Sequence, residues 1–173
     1  IKVYILSVEK TNKFPKILIS RKNEGLLKKL FEIEIPEITS GIIEIKSVAR
    51  EAGSRAKVAV YSAVPNIDTV GACIGQRGAR IKNIVDELNG ERIDIVEWKP
   101  VVEEFVSAVL SPAVVSNVTI LEDGTARVLV EPSQLSLAIG KNGQNARLAA
   151  RLTGMRVDIK VIDNATLKEE ENE

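Results

Sequence analysis

The 173-residue sequence has no histidine, a single cysteine and only 3% aromatics. Each shortage closes off some chemistry. Without His there is no Ser-His-Asp triad, no Cys-His pair and no His-ligated zinc. Cys73 alone can form neither an internal disulfide nor a cysteine cluster, which suits a reducing, cytoplasmic setting. So few Phe, Tyr and Trp argue against an RNA-recognition-motif sheet, where bases stack on exposed aromatics. No apolar run approaches the roughly 18 residues of a membrane-spanning helix, so no membrane partner is expected. No GxxxxGK[ST] loop is present, so the phosphate cradle of the common nucleotide hydrolases is missing. The start, Ile1-Lys2-Val3-Tyr4-Ile5, lacks the pattern of a secretory signal. It also lacks Met and opens inside what reads as a strand, as expected of an excerpt from a longer chain.

What remains is a globular composition, 45% hydrophobic and 28% charged. The 24 basic and 24 acidic residues cancel, but they are unevenly placed. Residues 1–30 hold eight Lys/Arg against two Glu, whereas 163–173 hold five acids and one Lys. Two short windows are purely basic: Arg77, Arg80 and Lys82 within 74–82, and Lys141, Arg147 and Arg151 within 139–151. Neutrality overall therefore does not exclude a polyanionic partner.

An internal repeat organises the chain. GACIGQRGARI at 71–81 and SLAIGKNGQNA at 136–146 align Gly75 with Gly140 and Gly78 with Gly143, at an offset of 65. ELNGERIDI at 87–95 and RLTGMRVDI at 151–159 align at 64, which places one lost residue in the intervening helix. In the first copy, 42–50 and 56–62 read as strands about a turn at Ala52-Gly53-Ser54. Pro65-Asn66-Ile67-Asp68 then opens a helix, and Ile81, Ile84, Val85 and Leu88 form a helical stripe. Asn89-Gly90 caps that stripe in the left-handed conformation, and Arg92 to Val96 is a last strand. In the second copy, Val101, Val102, Phe105, Val106, Val109 and Leu110 form a helical face between Pro100 and Pro112. Strands at 114–121 and 125–130 flank an Asp123-Gly124 turn. Leu148, Ala149 and Leu152 line the helix after the glycine loop, Gly154 caps it, and Arg156 to Val161 closes the copy.

Each Gly-x-x-Gly therefore joins two helices. Glycine permits a tight turn and close approach of a ligand to the backbone. The second helix presents free N–H groups and its positive dipole end beside the loop, which favours phosphate. The x positions are Gln76, Arg77, Lys141 and Asn142, all hydrogen-bond donors and none acidic. A single such loop is weak evidence, because helical corners often contain glycines. Its recurrence at the same place, with Ile before it, is a much stronger signal.

Ile-Gly-x-x-Gly in this order of elements resembles tandem KH domains of the bacterial topology. Beyond that, VGACIGQRGARI, SQLSLAIGKNGQNARLAARLTG and LLKKLFEIEIPEITSGIIEIKSVAREAGSRAKVAV resemble a family of bacterial transcription termination and antitermination factors, over roughly residues 20–162. Ile17-Leu18-Ile19-Ser20-Arg21 resembles the end of that family's S1 domain, an OB-type barrel too incomplete here to close. The resemblance implies an α+β fold with two tandem bacterial-type (type II) KH domains. Each runs helix-strand-strand-helix-GxxG-helix-strand, after the last strands of an incomplete S1/OB barrel. The implied divisions are 1–23 for the S1 end, 24–99 and 100–163 for the two KH domains, and 164–173 for a disordered acidic tail.

The resemblance also implies binding of nascent single-stranded RNA, with the loops holding the sugar-phosphate backbone and unpaired bases lying in an adjacent groove. Carried onto this sequence, the RNA-binding residues are Ile74, Gly75, Gln76, Arg77, Gly78, Arg80 and Ile81 in the first copy. In the second they are Ile139, Gly140, Lys141, Asn142, Gly143, Gln144, Asn145 and Arg147. Ala146 stands where the first copy has Ile81, so the second groove departs from the first. RNA polymerase and other transcription factors are the implied protein partners of a monomeric, cytoplasmic chain with no metal, no cofactor and no enzymatic residue. Two other readings are an RNA-binding appendage of a phosphorolytic ribonuclease and a KH-based protein-interaction module. Against the former, S1-like sequence precedes the two KH copies instead of following one. Adjacent pairs such as Asp86/Glu87 and Glu103/Glu104 also point about 100° apart on a helix and cannot converge on a substrate. Against the latter, neither loop contains an acid.

Overall fold

The computed structural model describes residues 1–162; the disordered tail expected at 164–173 lies outside the described residues. The chain divides into two units, Ile1–Val96 and Glu97 onward. Among the described residues no helix is long and apolar enough to cross a membrane.

The first unit opens with an antiparallel hairpin of β1 (Tyr4–Glu9) and β2 (Lys16–Ser20), pairing Tyr4 with Ser20 and Glu9 with Lys16. Ile5, Val8, Ile17, Leu18 and Ile19 are all more than half exposed. Two strands cannot bury both faces of a sheet, and this hairpin is consistent with the end of an S1 barrel. Arg21 ties it to the rest of the unit by donating to the Glu87 carbonyl at 2.7 Å and to the Glu87 carboxylate at 3.2 Å. The backbone N–H of Lys2, and after it the Arg21 guanidinium, hold the Glu87 carboxyl below its ordinary range.

Helix α1 (Glu24–Glu34) starts where the Asn23 side chain accepts from the Gly25 N–H at 2.7 Å, an N-cap that satisfies one of the free amides of the first turn. Leu26, Leu27, Leu30 and Phe31 fall on one face and are buried. Fully burying each such side chain stabilises by about 1.5–3 kcal/mol. A short helix α2 (Pro36–Thr39) follows, with Pro at its first position. Strands β3 (Glu44–Glu51) and β4 (Arg55–Tyr61) pair antiparallel, Glu51 opposite Arg55 and Ala49 opposite Lys57. Helices α3 (Thr69–Ile74) and α4 (Ala79–Glu87) then lead to β5 (Arg92–Glu97), and β4 is the central strand between β3 and β5. Val58, Val60, Cys73 and Ile84 complete the core with α1.

The second unit repeats this plan. Helix α5 (Val102–Val109) buries Phe105, Val106 and Val109 and packs against β6 (Asn117–Ile120) and the helix that follows the second glycine loop. Trp98 lies against Phe105 with ring centroids 6.3 Å apart. Strand β7 (Ala126–Val130) is central, antiparallel to β6 and parallel to β8 (Val157–Val161). Between β7 and β8 lie α6 (Leu135–Ile139) and α7 (Gln144–Thr153), whose Leu148, Ala149 and Leu152 are buried. The fold is thus α+β, two tandem KH domains of the expected element order.

Two details differ from the sequence reading. The strand expected at 114–121 is confined to Asn117–Ile120, because the Val114 N–H donates to the Gln134 side chain at 3.0 Å instead of joining the ladder. The residue missing from the second copy is not lost within the helix. Asn89 (φ 55°) and Gly154 (φ 70°) take the same left-handed cap position. The following amides, Gly90 N–H and Met155 N–H, donate five residues back to Val85 and Ala150. The spacing from glycine loop to cap is therefore the same in both copies, and the extra residue of the first copy is Glu91, just after the cap.

The repeated Arg-Ile/Val-Asp-Ile signature also acquires a role. Asp94 on β5 accepts from Arg55 at 2.7 and 3.0 Å and from the wholly buried Lys57 at 3.2 Å. Burial lowers the Lys57 pKa, and Asp94 partly restores it. In the second copy Asp158 stands beside Arg127 in the β7–β8 ladder.

Candidate nucleic-acid interface

In the first copy Asp68 caps α3 by accepting from the Gly71 N–H at 2.8 Å. The chain then turns at Gly75 (φ 76°, ψ 172°), passes through Arg77 (φ 51°, ψ 26°) and Gly78 (φ 75°, ψ 15°), and enters α4. The second copy does the same at Gly140 (75°, 169°), Asn142 (54°, 28°) and Gly143 (73°, 15°) before α7. In each, the second glycine N–H closes the turn on the carbonyl of the first, at 3.0 and 3.1 Å. The two backbones agree within a few degrees although three of four non-glycine neighbours differ in chemistry.

The two glycines of each loop serve different ends. A Cβ at Gly75 would lie 2.7 Å from Cγ of Arg80, and one at Gly140 would lie 2.8 Å from the backbone N of Asn145. The first glycine is therefore required both by its conformation and by the next helix lying against it. At Gly78 a Cβ would meet open space, so only the left-handed conformation restricts that position.

Gln76, Arg77, Lys141 and Asn142 are exposed at the loop tips. Ile74 and Ile139 sit on the matching shoulders, 37% and 39% exposed, unusual for isoleucine in a packed corner and available to a base. Arg147 reaches back from α7 to donate to the Asn142 carbonyl at 2.8 Å, placing its charge at the second loop; Gln144 is half-buried in the first turn of α7. A cleft of about 460 Å³ lies beside the first loop, lined by Gly71, Ala72, Gly75, Gln76, Ala79 and Arg80. Gly71, Ala72 and Ala79 were not among the sequence-derived candidates, because small residues carry no chemistry of their own; here they make the space. Lys82 was also missed. It is exposed and occupies the position of Arg147 at the repeat offset of 65, which was the signal that could have found it.

Two of the expected contact residues sit deeper than the loop tips. Ile81 is partly buried and packs against the core of its unit. Asn145 is 2% exposed, and its Nδ2 donates to the carbonyls of Leu110 (2.9 Å), Leu137 (3.2 Å) and Ala138 (3.1 Å). It is an internal fastening, not a surface for RNA. Arg80, its counterpart, donates to the carbonyl of Ala72 at 2.7 Å, and Ala72 is the counterpart of Leu137. In both copies this position stitches the helix before the loop to the helix after it. Replacing Asn145 by Leu should cost about 1–3 kcal/mol of stability, since buried carbonyls lose their donor. Thermal melts of the variant check this, and an unchanged melting temperature would contradict the fastening.

The loops carry positive charge next to the N-termini of two helices, with no acid among the four x residues. Such a corner can accept phosphate oxygens on backbone and side-chain N–H groups. Cys73, buried under the first loop, takes no part in such chemistry: desolvation first, then the nearby Glu37 carboxylate, push its thiol pKa up to about 12, which leaves it protonated and unreactive.

Residues 21–98 match the NusA-like first KH domain, and residues 102–167 match the NusA-like second KH domain. Several curated relatives bear the name transcription termination/antitermination protein NusA. That of Halalkalibacterium halodurans is 56% identical over 161 residues, covering 92% of this chain and 42% of its own length. That of Bacillus subtilis is 56% identical over 161 residues, covering 92% and 43%. That of Thermus thermophilus is 47% identical over 170 residues, covering 98% and 44%. The chain thus spans less than half the length of these relatives. Among solved structures, the crystal structure of APE1850 superposes with a TM-score of 0.57 over 76% of this chain and 94% of its own, at 22% identity; this is a likeness of fold.

Proposed function

The chain belongs to the NusA family, carrying its first and second KH domains, and on that premise we propose that it holds single-stranded RNA for a transcription termination and antitermination factor. The carrying observation is the repeated loop: two Gly-x-x-Gly turns with matching dihedrals, exposed donors at every x position, and a helix N-terminus behind each. The RNA backbone lies on Gly75-Gln76-Arg77-Gly78 and Gly140-Lys141-Asn142-Gly143. Arg80 and Arg147 supply charge, Ile74 and Ile139 meet bases, and the small-residue cleft admits them. By holding nascent transcript in this way the chain modulates pausing, termination and antitermination by RNA polymerase, as a monomer in the cytoplasm. We take 1–23 as the S1 end, 24–99 as the first KH domain and 100–163 as the second. The reading is that of a binding module, not an enzyme.

Binding should favour single strands over duplex, because a groove that reads unpaired base edges cannot admit stacked pairs. With two to five phosphates neutralised, at about −0.7 each, the slope of log affinity against log salt should fall between about −1.4 and −3.5. Fluorescence anisotropy with matched single-stranded and duplex RNA over a salt series checks both. Equal affinity for the two forms would overturn the groove reading.

A further inference from the structure

The two loops match in backbone but differ in how their neighbouring cation is held. In the first copy Arg80 lines the cleft, its stem lying over Gly75. Its Nη1 donates both to the Ala72 carbonyl at 2.7 Å and to Oε2 of Glu37 at 2.8 Å. Glu37 comes from α2, 43 residues away, and both side chains of the pair are about one-third exposed. The matching position in the second copy, Asn145, is neutral, buried and bonded to carbonyls, so no guanidinium–carboxylate pair forms at that position.

We propose that Glu37 sets the strength of the first loop's hold on RNA by occupying part of Arg80's charge, so that an incoming phosphate must share the guanidinium with the carboxylate. The inference rests on the RNA-binding reading above and refines it. A guanidinium offers five N–H donors in a planar fork. Glu37 and Ala72 hold Nη1, which leaves Nε and Nη2 to serve a ligand in the cleft that Arg80 lines. A phosphate held there would lie within a few ångströms of the Glu37 carboxylate. Two like charges facing one cation repel, so the pair tempers affinity while keeping Arg80 in place. The first copy thereby acquires a weaker, more readily exchanged hold than its bare charge count suggests.

Glu37→Gln separates the two effects. The amide keeps the size and an oxygen acceptor for Nη1 but loses the charge. Affinity for a short randomised single-stranded RNA pool should rise about two- to fivefold at low salt, the scale of half-exposed charge interactions. The log–log salt slope should steepen by about 0.7, one more uncompensated cation. Neither change should occur in an Arg80→Gln background, and melting curves verify that all variants fold. The Gln76→Asp/Arg77→Asp protein is measured alongside. If that protein loses affinity but Glu37→Gln leaves affinity and slope unchanged, or weakens binding, the tempering role is overturned while the RNA reading stands. If the loop variant itself binds undiminished, both fall.

Discussion

RNA affinity should fall by about 1–3 kcal/mol when Gln76 and Arg77 are both replaced by Asp, and by a similar amount when Lys141 and Asn142 are, the scale of losing charge-assisted hydrogen bonds. The melting curve, in contrast, should stay where it is. The structure explains why the fold should tolerate so abrupt a change. All four side chains are exposed, so little packing is lost. Arg77 and Asn142 hold left-handed backbone, φ 51° and 54°, a region that Asp enters more readily than most residues. A carboxylate near a helix N-terminus is itself favourable by about 0.3–1 kcal/mol. What the substitution disturbs is the ligand: donors disappear and two negative charges take the place intended for phosphate. If one strand spans both loops, the second contact is intramolecular and contributes about 10²–10⁴-fold in avidity, so either variant should harm long RNA more than short. Affinities for short and long single strands, with circular dichroism melts of the same proteins, decide the matter. Undiminished binding by both variants would remove the loops from the mechanism; a collapsed melt would make them structural corners.

The second large effect concerns stability alone. Arg50 and Glu91 form an ion pair whose side chains are 2% and 1% exposed. Nε and Nη2 of Arg50 donate to the two carboxylate oxygens at 2.7 and 2.8 Å, the Gly53 N–H donates to the same carboxylate at 2.8 Å, and Nη1 reaches the Asn23 carbonyl at 2.9 Å. The group joins the β3–β4 turn, the N-cap of α1 and the exit of α4. Glu91→Ala leaves an uncompensated buried guanidinium, and breaking one side of such a pair costs about 3–5 kcal/mol. In a domain of this size that corresponds to a fall of more than about 10 °C in melting temperature. Arg50→Met with Glu91→Leu should recover part of the loss, because no charge is then stranded. The recovery is incomplete, since the Gly53 N–H loses its carboxylate acceptor and the Asn23 carbonyl keeps only the Leu26 N–H. Thermal and denaturant unfolding of the three proteins tests this; an Ala variant as stable as the parent would show the pair to be dispensable.

Much of this protein was determined by local rules that a sequence displays. The turn at each Gly-x-x-Gly follows from residues that alone tolerate its backbone, and the helix faces from apolar spacing at Ile84 and Leu88 or Leu148 and Leu152. The caps follow from Asn89 and Gly154, and the kinship of the copies from an offset that survives divergence. These signals act within a few residues of one another, so no knowledge of the fold is needed to read them. The burial of Asn145, the turning of Ile81 toward the core, the use of Glu91 as an ion-pair partner and the hold of Glu37 on Arg80 were decided only by tertiary structure. Asn145 meets Leu110 across 35 residues, Arg50 meets Glu91 across 41, and Arg80 meets Glu37 across 43. A polar side chain beside a glycine loop looks the same in sequence whether it faces solvent or a ring of carbonyls. Which it does depends on where another helix comes to rest, and that position is set by packing of the whole core rather than by the residue's neighbours in the chain.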